Sequence, residues 1–212
     1  MTFVKICGLT DARSVDAALE AGADAVGFVI HESSPRYVSP ADAARLAVPA
    51  RGRALITALV IAPDDARAAE IADALAPDVF QLYDGALSAD TRRGRELWRA
   101  YSVRAREDLP DAVEDADRLL LDAPPPAGAK RSGGGWGATF DWSLLAGWAA
   151  PKPWILAGGL TPENVAEAIE VTGATAVDVS SGVESSPGVK DIAKIRDFIQ
   201  AAKSASSNGA TA

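Results

Sequence analysis

One cysteine and one histidine are all that 212 residues carry of the side chains most used for metal binding and thiol chemistry. A single cysteine cannot close an intrachain disulfide, and with one histidine beside it a Cys/His metal site is close to excluded. No apolar run approaches the roughly 20 residues that a membrane-spanning helix needs, and the N-terminus lacks the charged-then-apolar layout of a secretory signal. The expected address is therefore cytoplasmic. Basic clusters are scarce too: 21 Lys and Arg stand against 29 Asp and Glu, a formal charge of -8. That balance speaks against nucleic acid or a membrane surface as partner. It leaves room for an anionic small molecule, which backbone N–H groups and one or two arginines can hold inside a pocket.

What is present is ordinary for one folded domain, with 48% hydrophobic and 24% charged residues. The chain alternates strand-like and helix-like runs. "FVKIC" is short, apolar and stopped by Gly8, so it reads as a buried strand; Thr10 or Asp11 then caps a helix with Ala12, Val15, Ala18 and Leu19 on one face. The alternation continues through "ADAVGFVI", "SPADAARLAV", "RALITALVI", "DDARAAEIADAL", "DVFQL", "LSADTRRGRE", "LWRAYSV", "DRLLLD", "DWSLLAGWA", "PWILAG", "TPENVAEAIEV", "TAVDVS" and "VKDIAKIRDFIQAAK". This gives eight strands and about eight helices, the pattern of a parallel sheet with right-handed crossovers. A (β/α)8 TIM barrel over residues 1–203 is the expected α/β architecture, with 204–212 as a flexible tail. A doubly wound open sheet is the competitor, disfavoured because no G-x-G-x-x-G follows the first strand.

In a closed barrel, chemistry sits at the C-terminal ends of the strands. Cys7 ends strand one and Asp122 ends strand six, which makes the thiol and the carboxyl group candidate acid–base partners. The segments "LAGGLTPEN" and "DVSSGVESSPG" follow strands seven and eight. Gly158, Gly159, Ser180, Ser181 and Gly182 are candidates for a phosphate cradle there, where backbone donors converge. Arg36 in "SSPRYVSP", stiffened by flanking prolines, could grip a carboxylate in bidentate fashion. His31 is set aside as a loop residue. The long Pro/Gly loop "APPPAGAKRSGGGWGATFDW" offers Gly134, Gly135 and Trp136 as a candidate lid.

Taken together, "VKICGLT", "ADAVGFVIHESSPRYVSP", "LLLDA" with "GGGWGATFDW", "ILAGGLTPENV" and "AVDVSSGVESSPGVKD" resemble phosphoribosylanthranilate isomerase of tryptophan biosynthesis, in order from Lys5 to Phe198. The resemblance implies a cofactor-free Amadori rearrangement on a TIM barrel, with Cys7 as general base and Asp122 as general acid. It further implies Arg36 on the anthranilate carboxylate, Asp178 on sugar hydroxyls and the late glycine loops on phosphate. The implied partner is a phosphorylated small molecule, with no nucleic acid or membrane, and the assembly a monomer or homodimer. The chain departs from the family pattern where "QLYDG" puts Tyr83 in place of an imidazole, and where Trp136 and Ala138 replace a small hydroxyl and a basic residue. The alternatives are another phosphosugar barrel isomerase, or a barrel that binds a phosphoribosyl ligand without turning it over. An aspartate acting as acid near neutrality needs its carboxylate destabilised: two pKa units amount to about 2.7 kcal/mol. Burial could supply that for Asp122, while Lys5 could favour the thiolate of Cys7.

Overall fold

The computed structural model describes residues 1–124, 137 and 139–208. Eight parallel strands close into a barrel in chain order: β1 (Phe3–Cys7), β2 (Ala25–Val29), β3 (Leu55–Val60), β4 (Val79–Leu82), β5 (Glu96–Ser102), β6 (Arg118–Asp122), β7 (Trp154–Leu156) and β8 (Ala176–Val179). β8 returns to pair with β1, Lys5 opposite Asp178. The barrel architecture expected from the alternation is the one observed, and the open sheet is not.

Helices α1 (Ala12–Ala21), α2 (Pro40–Leu46), α3 (Asp65–Leu75), α4 (Ala89–Arg92), α5 (Val165–Thr172) and α6 (Ile192–Asn208) cover the barrel. Their starts follow side-chain capping: Asp11, Ser39, Asp64 and Ser88 each accept a backbone N–H three residues on. The helical count falls short of eight among the described residues, and the reasons are local. The "LSADTRRGRE" segment makes only one turn of helix, because Arg93 and Gly94 both swing to positive φ. "DWSLLAGWA" folds as a 3-10 turn over Trp142–Leu145, with Gly147 at φ 65 and Pro151 and Pro153 beyond it. Between β5 and β6 there is likewise only a 3-10 turn, Arg106–Asp108. At the other end, α6 runs through Asn208, five residues past the boundary drawn from the sequence.

Two apolar compartments make up most of the core, and a small third one, Cys7 with Val29 and Leu59, lies beside the cavity described below. The larger lies between the outer faces of the strands and the helices, with Phe28, Phe80, Ile71 and Phe198 among its buried members. The smaller fills the barrel's lower interior with Ala25, Val79, Trp98, Leu120 and Ile155. Arg118 lies against that layer, its guanidinium 5.6 Å from the ring centroids of both Phe3 and Trp98.

One device recurs at the N-terminal end of the barrel. Asp24, Asp78 and Asp117, each just before an even-numbered strand, accept the N–H of Val4, Ile56 and Leu97 in the preceding odd strand, all at 2.8 Å. Each carboxylate thus pins a βαβ unit at its base. The N-terminal end of such a barrel serves stability rather than chemistry. Asp78→Ala should therefore lower the unfolding free energy by about 1–2 kcal/mol, for the lost charge-assisted bond, while leaving KM unchanged. Denaturant melts paired with steady-state kinetics check this; a KM change as large as the stability loss would refute the separation.

Candidate active site

Alternation along a strand sends residues i and i+2 to the same face, so Lys5 and Cys7 both point into the barrel. Gly27, the partner of Cys7 in β2, leaves room for them: a methyl group there would sit 3.0 Å from the Cys7 sulfur and 3.2 Å from the Lys5 ammonium nitrogen. Lys5 is fully buried and donates to Asp178 Oδ1 at 2.8 Å. Burial works against its charge, but the Asp178 carboxylate and the Cys7 thiol outweigh that, and its pKa is raised. Burial pushes the Cys7 thiol up as well, and the opposing pull of Lys5 does not cancel it.

Across the barrel, Asp122 is only 5% exposed at the end of β6. Burial lifts its pKa to about 6, against the pull of two donors: the Tyr83 hydroxyl on Oδ2 and the Ala123 N–H on Oδ1, each at 2.8 Å. Cys7, Tyr83, Asp122 and Asp178 line one cavity that is partly open to solvent. Arg36, Gly158, Gly159, Ser180, Ser181 and Gly182 border the same space. The structure thus brings together the described residues that the sequence singled out. His31 also lines it, with Ser33 Oγ 2.7 Å from its Nε2. The candidate lid residues Gly134, Gly135 and Trp136 lie outside the described residues.

The glycine loops meet because one residue has no side chain. A Cβ on Gly182 would fall 1.8 Å from the carbonyl oxygen of Leu160, so the loops after β7 and β8 touch backbone to backbone. The segment expected as helix from Thr161 first makes a turn, in which Asn164 accepts the Thr161 N–H at 2.8 Å and donates to the Gly159 carbonyl at 3.1 Å. α5 starts only at Val165.

Arg36 is 4% exposed, and its Nε and Nη2 donate to the two carboxylate oxygens of Glu184 at 2.6 and 2.8 Å. Gly8, at φ 73, allows this side chain to cross it, since a Cβ there would lie 2.6 Å from Arg36 Cδ. Lys190 completes the cluster, donating to Glu184 Oε1 at 3.0 Å and to the Ser180 carbonyl at 2.8 Å. Glu184 and Lys190 belong to an antiparallel hairpin, β9 (Glu184–Ser186) and β10 (Val189–Lys190), where the sequence reading began the last helix at Val189. The correction has a physical cause: Lys190 is used across the hairpin, and Asp191 then accepts the N–H groups of Ala193 and Lys194 to start α6. Neither Glu184 nor Lys190 was a sequence candidate. The signal available was a turn, Ser-Ser-Pro-Gly, flanked by opposite charges.

The fold and this cavity define a (β/α)8-barrel enzyme with a thiol, two carboxyl groups and paired glycine loops at the C-terminal ends of its strands. The family model of N-(5'phosphoribosyl)anthranilate (PRA) isomerase matches residues 4–201, and the chain belongs to that family. It is 49% identical to the N-(5'-phosphoribosyl)anthranilate isomerase of Rhodospirillum rubrum, over 95% of this chain and 98% of that one. Among solved structures it is similar to a phosphoribosyl anthranilate isomerase in complex with reduced 1-(o-carboxyphenylamino)-1-deoxyribulose 5-phosphate, at TM-score 0.81 and 33% identity, covering 96% of this chain and 100% of that one. Another similar structure is a monomeric form of the dimeric isomerase from Thermotoga maritima, at TM-score 0.80 and 34% identity, covering 96% of this chain and 100% of that one.

Removing the Glu184 charge leaves two buried cations facing each other. Glu184→Gln should cost about 3 kcal/mol of stability, the usual scale for breaking a buried pair. A thermal midpoint equal to that of the parent would show that the cluster contributes nothing.

Proposed function

We propose that this chain converts N-(5'-phosphoribosyl)anthranilate to 1-(2-carboxyphenylamino)-1-deoxyribulose 5-phosphate, as a cytoplasmic enzyme of tryptophan biosynthesis, with Asp122 as acid and Cys7 as base. The observation that carries the assignment is geometric: a buried thiol at the end of β1 and a buried carboxyl group at the end of β6 line one cavity, and burial raises both, the carboxyl group to about 6. In the first step Asp122 gives its proton to the furanose ring oxygen. The C1′–O bond breaks and the nitrogen lone pair forms the C=N bond of a Schiff base. The Cys7 thiolate then takes the C2′ proton, and the electrons move through C1′ to nitrogen. The resulting enolamine tautomerises to the ketoamine product.

The remaining contacts follow from charge. Arg36, held in place by Glu184, faces the substrate carboxylate; Asp178 meets sugar hydroxyls; and the loops at Gly158–Gly159 and Ser180–Gly182 receive the phosphate through backbone N–H groups. The assembly is a monomer or a homodimer, the latter being the state of the Thermotoga maritima relative. No helix among the described residues is long and apolar enough to cross a membrane, in keeping with the proposed location.

The productive form carries the proton on Asp122 and none on Cys7. Because the thiol titrates above the carboxyl group, that form is a minor one, and its population is flat between the two pKa values. It falls below the lower and above the higher. The profile of kcat/KM against pH should accordingly be a bell whose acid limb lies near 6; a rate still rising steeply from pH 7 to 8 would contradict it.

Asp122→Asn should lower kcat by about 10²–10⁴-fold, the usual contribution of a general acid. An acyclic analogue of the ring-opened Schiff base separates the two roles. With it, Asp122→Asn should still exchange the C2′ proton with heavy water, whereas Cys7→Ser should not. Loss of exchange in the Asn variant, with the analogue still bound, would assign Asp122 to the later proton transfer instead.

A further inference from the structure

Tyr83 follows β4 directly and reaches a group that lies 39 residues away in sequence. Its hydroxyl donates to Asp122 Oδ2 at 2.8 Å, while Oδ1 is held by the Ala123 N–H. The two donors approach from different elements, one from the end of β4 and one from the loop after β6. Together they fix the carboxyl plane in the cavity wall. The ionisable groups that also act on these two side chains are Asp178 from β8, and Cys7 and Lys5 from β1. The next inward residue of β4, Gln81, is neutral.

We propose that Tyr83 is a positioning residue for the reaction: its phenol orients the Asp122 carboxyl group and stabilises the carboxylate left behind when that group gives up its proton. The phenol keeps its own proton throughout, so a single group titrates on this flank of the cavity. Burial, reinforced by the neighbouring carboxylates, holds the phenol well above its ordinary pKa, so it stays a donor across the working pH range. A histidine at the same place would change charge between about pH 5 and 8 and couple a second titration to the acid.

The inference rests on Asp122 as the acid, and the experiment separates the two. The carboxyl carbon of Asp122 is followed by NMR in substrate-free, 13C-aspartate-labelled enzyme, its resonance assigned by its absence from Asp122→Asn. Tyr83→Phe removes only the hydroxyl. The Asp122 titration should move up by about one pH unit, since a donor to the charged form is lost. The acid limb of kcat/KM should move with it, and near pH 5, where Asp122 is largely protonated in both enzymes and the productive populations match, kcat should be about tenfold lower with KM within twofold. Placing 3-fluorotyrosine at position 83, a stronger donor of nearly the same size, should shift the titration the opposite way; it also serves if the Phe variant folds poorly. An unmoved titration in both variants would reduce Tyr83 to a wall of the cavity and overturn the proposal. Full activity in Asp122→Asn would instead overturn the acid assignment, whatever Tyr83 does to the carboxyl group.

Discussion

The structure turns on a buried ammonium. Lys5 sits in the first strand, with nothing of it exposed, and its counter-charge comes from Asp178 in the last. An unpaired charge in such a place would cost several kcal/mol. The pair therefore requires the seam between β1 and β8 to close in one register, the one that sets Lys5 opposite Asp178. It also sets the field at Cys7, two residues along the same face. Burial and the Asp178 carboxylate favour the neutral thiol, and Lys5 opposes them. The outcome is a thiol that resists ionisation and is a correspondingly strong base once ionised.

A second buried cluster organises the rim. Arg36, Glu184 and Lys190 join the loop after β2 to the hairpin that follows β8, and Lys190 adds the Ser180 carbonyl. Two cations surround one carboxylate, so the cluster carries a net positive charge at the edge of an otherwise acidic molecule. The edge of the cavity is thereby polarised without a surface basic patch. Its members hold one another, so the guanidinium is kept in one orientation by its own neighbours.

How far the sequence disclosed this depends on the range of the forces involved. The strands were readable, because eight short apolar runs bounded by turn residues are a local pattern. The placing of Cys7, Asp122 and the late glycines in one cavity followed from strand ends alone, once the barrel was granted. The short crossovers were misjudged because apolar residues such as Leu144, Leu145 and Trp148 suggest a helix, while Gly147 and two prolines stop one. The bond from Tyr83 to Asp122 and the grip of Glu184 on Arg36 span 39 and 148 residues, and no periodicity announces such pairs. Tyr83 stands out in the sequence as a departure from the family pattern, whereas its bond to Asp122 is a matter of three-dimensional placement.

Closure of the barrel has a consequence for how the chain is made. A ribosome delivers β1 before the other strands of the barrel and β8 after them, about 170 residues later, and a domain folds as a unit once its parts are present. Until Asp178 appears, Lys5 has no partner for its charge and the inner face of β1 cannot be sealed. The half-made chain keeps the charge on its first strand in water. The cavity that holds Cys7 thus cannot form until β8 has been made, and a product that stopped before it would lack the seam and the cavity wall together.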